Sequence, residues 1–140
     1  MTEYYSVEPE VAGRATVERR AGSRPTLTYV FDGWRGDALL ESYPHFVVTE
    51  QLATELDRAR LDGYEFGPAT TEASETFRRL YPDQTPPSCR WLRVDGEPGR
   101  DDVGTDADGV LVVSEDALDR IERVGFDNYG SCTRYDPDGE

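Results

Sequence analysis

The sequence predicts an α+β domain in which two similar strand–helix–strand units pack around a mixed or antiparallel sheet. Three observations lead to this fold class. A segment recurs without a gap, each copy carries an apolar stripe at helical spacing, and β-branched and aromatic runs lie outside both copies. At 140 residues the chain is long enough to bury a core, so we expect one domain over residues 1–140.

The repeat runs from Phe46 to Tyr64 and again from Leu111 to Tyr129. The two copies align without a gap at an offset of 65 residues. The shared motif is an apolar residue followed by Val-Val, then Thr or Ser, then Glu. We expect strand–helix–strand units at about 46–66 and 111–131. The identical residues are Val47, Val48, Glu50, Arg58, Asp62 and Tyr64, matched by Val112, Val113, Glu115, Arg123, Asp127 and Tyr129.

Each predicted helix carries its own start signal. Thr49 and Ser114 are good N-caps, because a hydroxyl oxygen accepts from a free backbone N–H of the first turn. A glutamate follows each cap, where the helix dipole favours negative charge. Apolar residues then recur at positions 52, 53, 56 and 59, and at 117, 118, 121 and 124, which gives each helix one buried face.

The rest of the chain is predicted from local composition. β-rich runs predict strands at Tyr4–Val7, Thr26–Phe31 and Cys89–Val94, and Thr71 to Tyr81 is expected to form a helix closed by Pro82. We expect a surface loop at 12–24, a Gly- and Asp-rich loop at 95–108, a loop with one helical turn at 34–44, and a frayed end from about 136.

The charge excludes one class of function. The chain has 29 acidic and 15 basic residues, all of the latter Arg, for a net charge of −14. Direct nucleic-acid binding is not expected, because it requires a basic face. The acidity fits either a surface that meets a basic partner or general solubility.

No apolar run is long enough to span a membrane, and Met1 to Tyr5 lacks the layout of a signal peptide. The expected location is therefore the cytoplasm, where Cys89 and Cys132 remain free thiols.

No motif predicts a catalytic residue, a metal site or a cofactor. Cys89 lies in a predicted strand, and the only histidine, His45, has no recognisable catalytic partner in the sequence. Asp106 to Glu115 partly fits a calcium loop, but Gly104 stands at its first position, where a carboxylate belongs.

The doubled motif, together with Phe31-Asp32-Gly33-Trp34 and the run Trp91-Leu92-Arg93-Val94, resembles a family of bacterial immunity proteins from polymorphic toxin systems and their uncharacterised relatives. The resemblance covers mainly residues 31–129. It implies an α+β protein that neutralises a cognate toxin in the cytoplasm by stoichiometric association. A basic nuclease is a suitable partner for so acidic a chain.

Trp34 is the candidate aromatic anchor for such a partner, because buried aromatics dominate binding energies. The acidic residues predicted to contact a basic partner are Asp95, Glu97, Asp101, Asp102, Asp106 and Asp108. Two other classes of function remain open. One is a small enzyme with a scattered acid/base site that uses Cys89, His45 or the Asp101-Asp102 loop, and the other is a subunit of a larger assembly.

Overall fold

A computed structural model describes residues 2–136, which form eleven strands and three helices. The predicted α+β fold class is confirmed. The predicted frayed end lies largely outside the described residues. The strands are β1 Tyr4–Glu8, β2 Gly13–Glu18, β3 Thr26–Phe31, β4 Leu39–Ser42, β5 His45–Thr49, β6 Tyr64–Gly67, β7 Ala69–Ala73, β8 Cys89–Val94, β9 Val103–Thr105, β10 Leu111–Ser114 and β11 Ser131–Tyr135, and the helices are α1 Glu50–Ala59, α2 Glu75–Leu80 and α3 Glu115–Val124.

The described strands form three sheets. Sheet I has the strand order β9–β10–β1–β11 and sheet II has the order β4–β5–β8–β6, and every strand pair in both is antiparallel. Sheet III is mixed, since β3 pairs with β2 in antiparallel and with β7 in parallel orientation.

Both repeats form the predicted strand–helix–strand unit, but the two strands of each unit are not neighbours. In the first unit β5 and β6 lie on either side of β8, and in the second β10 and β11 lie on either side of β1. The central strand pairs in the same register in both units. Phe46 of β5 lies opposite Leu92 of β8, and Leu111 of β10, its equivalent 65 residues later, lies opposite Val7 of β1. Each unit is thus completed by a strand from elsewhere in the chain.

Two buried clusters divide the interior. The larger one joins the inner faces of sheets I and II to α1 and α3, and the smaller one lies between sheet II and sheet III. Strand alternation sends neighbouring residues to different clusters. Leu39 packs in the larger cluster and Leu40 in the smaller one, although both are fully buried.

The predicted caps of both repeat helices are confirmed. The Thr49 hydroxyl accepts the Leu52 N–H at 3.4 Å, and the Ser114 hydroxyl accepts the Ala117 N–H at 3.2 Å. The apolar stripes also face the core as expected, with Leu56 among the buried residues of α1.

Two aspartates link the repeats to each other. Asp37 and Asp102 are 65 positions apart, and each precedes the first strand of its hairpin. The Asp37 carboxylate accepts the N–H groups of Asp127 and Asn128 at 2.9 Å, just after α3. The Asp102 carboxylate accepts the Asp62 N–H at 3.2 Å, after α1. The repeat therefore begins at Asp37 and Asp102, upstream of the segment that the sequence alignment indicates.

The predicted loop at 95–108 is interrupted by β9, which pairs with β10 in antiparallel orientation. Two further loop predictions are wrong. The segment 12–24 contains β2, where Ala15 and Val17 pack against the smaller cluster while polar residues alternate on the outer face. The segment 34–44 contains β4, which pairs with β5 in place of the expected helical turn. In both cases pairing with a neighbouring strand stabilises a sequence that is weakly β-forming by itself.

The predicted helix at 71–81 is also too long. Residues 69–73 form β7, and α2 begins only after its N-cap Ser74, whose hydroxyl accepts the Phe77 N–H at 3.1 Å. Phe77 is buried as predicted, but Leu80 is 61 % exposed. The parallel pairing of β7 with β3 prevails over the helical pattern there.

Candidate functional site

Two of the predicted partner-contacting aspartates shape the loops in which they lie. The Asp101 carboxylate accepts the Glu97 N–H at 2.6 Å. The Asp106 carboxylate accepts the N–H groups of Asp108 and Val110, at 2.8 and 3.0 Å. Short polar side chains commonly close turns through such backbone contacts. These two carboxylates therefore order the chain before and after β9.

The other four predicted acids divide between structure and surface. Asp102 joins the two repeats and also accepts the Ser114 hydroxyl at 2.8 Å. Asp95, Glu97 and Asp108 are exposed. The contact of all six acids with a partner stays a prediction, with these three best placed for it.

Trp34, the predicted anchor, is half-buried at the edge of the smaller cluster. Its indole Nε1–H donates to the Asp37 carbonyl oxygen at 2.9 Å, which fixes the ring. A shallow depression of about 270 Å³ lies beside it, lined in part by Pro87 and Val124. A partner contact at Trp34 also stays a prediction.

Cys89 and His45 do not form a catalytic pair. Cys89 lies opposite Thr49 at the end of β5, whereas His45 begins β5, and four strand residues span about 13 Å. Burial raises the pKa of the Cys89 thiol to about 12, and the Glu50 carboxylate adds to this shift. The thiol is therefore protonated at neutral pH and is a poor nucleophile.

Among residues 2–136, no group of three or more His, Cys, Asp and Glu side chains is arranged to hold a metal ion. Asp106, which the partial calcium-loop pattern includes, directs one carboxylate oxygen to backbone N–H groups of its own turn.

The most distinctive concave surface is a groove of about 660 Å³ where the three sheets meet. It receives the end of β1 from sheet I, the end of β4 from sheet II and the start of β2 from sheet III. We call this surface the three-sheet groove; the lining residues used below are Glu8, Glu10, Val11, Arg14, Glu41, Tyr43 and Gly109.

Two apolar side chains stand exposed at the three-sheet groove. Tyr43 is 67 % exposed and Val11 is 68 % exposed, more than any other large hydrophobic residue in the described part of the chain. The Tyr43 ring lies against the backbone of Gly109, where an added Cβ would come within 2.8 Å of the ring. Gly109 also has a φ of +82°, so this turn favours glycine both for its conformation and for its contact with Tyr43.

Three carboxylates line the same groove. Glu10 is buried and accepts the N–H groups of Arg35 and Asp37, at 2.8 and 3.3 Å. Burial raises the pKa of the Glu10 carboxyl, and those two N–H donors oppose the shift. Glu8 accepts the Ser131 hydroxyl at 2.7 Å.

Glu41 differs from the other two carboxylates. Its backbone N–H donates to the Glu10 carbonyl oxygen at 2.9 Å and its carbonyl oxygen accepts the Tyr29 hydroxyl at 3.0 Å. Its half-buried side-chain carboxylate, however, has no hydrogen-bond or ion-pair partner within the described residues. Burial raises the pKa of its carboxyl group, and the nearby Glu8 carboxylate raises it further. Glu41 is thus a carboxylate that a cation in the groove would stabilise.

The three-sheet groove was missed by sequence reasoning, because its walls come from distant segments. Glu41 and Tyr43 lie in the segment predicted as loop, and Val11 precedes the unrecognised β2. The available signal was the run Leu39-Leu40-Glu41-Ser42, a short strand that carries a carboxylate at the end of its apolar pair.

Comparison with known proteins gives no assignment: no protein-family model matches the chain, and no curated protein matches it. None of the helices among residues 2–136 has the length and apolar character needed to cross a membrane.

Proposed function

We propose that this chain is a non-enzymatic binding protein, an immunity protein that neutralises a cognate toxin in the cytoplasm by direct stoichiometric association. The observation that carries the proposal is the three-sheet groove, where Tyr43 and Val11 stand exposed beside carboxylates. Exposed aromatic side chains beside a concavity are typical of protein contacts.

The charge supports a basic protein as the partner. A net charge of −14 repels nucleic acid and attracts a basic surface, which accelerates association. A nuclease with a basic cleft is such a partner. The doubled motif that resembles immunity proteins supports the same function.

Co-expression tests this function. The gene product encoded beside this chain is expressed with and without it, survival is scored, and the mixture is then separated by gel filtration. We expect survival together with a stable complex of fixed stoichiometry.

Survival without a complex would instead support the small enzyme with a scattered acid/base site. A stable complex without protection would support a subunit of a larger assembly.

A further inference from the structure

We propose that the three-sheet groove is the docking surface for a basic segment of the partner protein. In this arrangement an Arg or Lys side chain lies beside Glu41 and Glu8, and an apolar neighbour packs on Tyr43 and Val11. The proposal rests on the proposed binding function and adds the face and the chemistry of the contact.

The acidic groups point to a cation as the occupant. The Glu8 and Glu10 carboxylates already accept hydrogen bonds within the protein, whereas the Glu41 carboxylate has no such partner among residues 2–136. A half-buried carboxylate beside a second one is destabilised by both burial and repulsion, and an approaching guanidinium or ammonium relieves both.

The one cation among the lining residues does not neutralise the groove. Arg14 is turned toward Asp32, with 3.8 Å between Nε and Oδ2, and its side chain is 74 % exposed. The groove therefore carries three carboxylates, and the one guanidinium among its lining residues is turned toward a fourth. A second copy of this chain would bring the same negative charge to the groove, so self-association is disfavoured there.

The exposed apolar side chains at the groove favour an occupant that brings apolar surface as well as a positive charge. The Tyr43 ring lies against the Gly109 turn, which restricts it on one side and reduces the side-chain freedom that its exposed face loses on binding. With Val11 it forms an apolar border to the groove. A segment that carries a basic residue next to an apolar residue therefore matches both the carboxylates and the apolar border of the groove.

The first test uses a defined probe and nuclear magnetic resonance. The full chain, labelled with ¹⁵N, is titrated with the peptide Ac-Arg-Leu-Arg-NH₂ and, separately, with the same peptide carrying citrulline in place of arginine. We expect amide shifts concentrated at residues 8–14, 41–43 and 109–110, with little response to the uncharged citrulline peptide. Shifts spread over the surface, or centred on residues 95–102, would overturn the proposal.

The second test compares variants with matched controls in the same titration. The control for Glu41→Gln is Glu18→Gln, which also removes one negative charge. Glu18 lies at the end of β2 that is away from the groove, with 3.6 Å between its Oε2 atom and Arg20 Nη2. We expect Glu41→Gln to weaken peptide binding by about fivefold, the upper end for a partly exposed ion pair, and Glu18→Gln to leave it unchanged. Equal losses would indicate general attraction to an acidic surface and refute a specific groove.

The third test uses the complex with the neighbouring gene product. Tyr43→Ala is paired with Leu80→Ala, since Leu80 is another exposed apolar residue, on α2 outside the groove. For a central aromatic contact we expect about a 30-fold loss of affinity with Tyr43→Ala and no change with Leu80→Ala.

The outcomes separate the two proposals. A complex that neither Glu41→Gln nor Tyr43→Ala weakens would leave the binding function standing and refute the groove as its site. Groove-centred, charge-dependent peptide binding without protection by any neighbouring gene product would support the groove and refute toxin neutralisation.

Discussion

Glu55 and Arg120 occupy the same position in the two repeats, 65 residues apart, and they form an ion pair with each other across the contact between α1 and α3. Arg120 Nη1 lies 2.8 Å from Glu55 Oε2. Equivalent positions of the two helices therefore face each other at this point, as a pseudo-two-fold relationship between the repeats requires. An acid in one copy and a base in the other make the duplicated faces complementary.

We expect the Glu55–Arg120 contact to couple the two helices. Glu55→Gln and Arg120→Gln should each lower stability, and the double variant should lose less than the sum of the single losses. Urea unfolding of the four proteins measures the coupling. Additive losses would show that the pair contributes nothing beyond its separate residues. Asp119→Asn is the control, because Asp119 forms an exposed ion pair with Arg123 within α3.

The aspartates that link the repeats should differ in their contribution to stability. Asp37 is 1 % exposed, so Asp37→Ala leaves the N–H groups of Asp127 and Asn128 without an acceptor, at a cost of about 3 kcal/mol. Asp102→Ala should cost less, about 2 kcal/mol, because its contact with the Asp62 N–H is exposed to water while the buried Ser114 hydroxyl loses its acceptor. Chemical unfolding of both variants measures the difference, and equal losses would contradict the role assigned to burial.

The two helix caps should also be unequal. Thr49→Ala should lower the free energy of unfolding by about 1 kcal/mol, the usual loss for a capping hydroxyl. Ser114→Ala should cost more, about 2 kcal/mol, because the buried Ser114 hydroxyl also donates to Asp102. Thermal unfolding followed by circular dichroism provides the comparison, with Thr54→Ala on the exposed face of α1 as a control. A smaller loss for Ser114→Ala than for Thr49→Ala would contradict this reading.

Cys89 should be protected from thiol reagents. Its raised pKa, about 12, and its buried side chain keep the reactive thiolate scarce at neutral pH. In a Cys132→Ser variant, we expect iodoacetamide to label the native protein far more slowly than the protein in urea. Rapid native labelling would contradict the buried position of Cys89 and revive a catalytic role for it.

Glu41 should make stability depend on pH in a defined direction. Its carboxyl pKa is raised in the folded state, so the folded protein binds the proton more tightly than the unfolded chain does. Stability is therefore lost as pH rises through the carboxyl range. We expect Glu41→Gln to be more stable than the parent at pH 7, with the advantage shrinking as the pH falls through the raised pKa of the folded state and lost below 4.5, the ordinary value for this group. Unfolding at both pH values measures this, and an advantage that grows toward acid would refute the assignment.

The sequence predicted the elements whose signals are local. Thr49 and Ser114 cap their helices, and residues such as Leu56 face the core, because the hydroxyl and the apolar spacing act within one helix. The Asp37 and Asp102 contacts were not predictable in the same way. The two residues match in identity, but the strands after them share too few residues to extend the alignment, and their partners are far away in the chain.

The groove failed to appear in the sequence for a related reason. Tyr43 and Val11 are ordinary turn and loop residues until the three sheets bring them to one surface. The predicted anchor Trp34 is a larger aromatic, but its indole is tied to Asp37. Side-chain size favoured Trp34 as the anchor. Tyr43 is distinguished by its exposure, which only the tertiary structure determines.

The position of β1 between β10 and β11 has a consequence for biosynthesis. Sheet II is complete once β8 has been made, at Val94, but Tyr4 finds its partner Tyr135 only some forty residues later. At ribosomal rates of about 5–20 residues per second, that interval is on the order of several seconds. Until β10 has been made, β1 has neither of its neighbouring strands, and until β11 has been made, one edge of β1 stays unpaired and available to other nascent chains. Among the described strands, β1 is thus translated first and is one of the last to be fully paired.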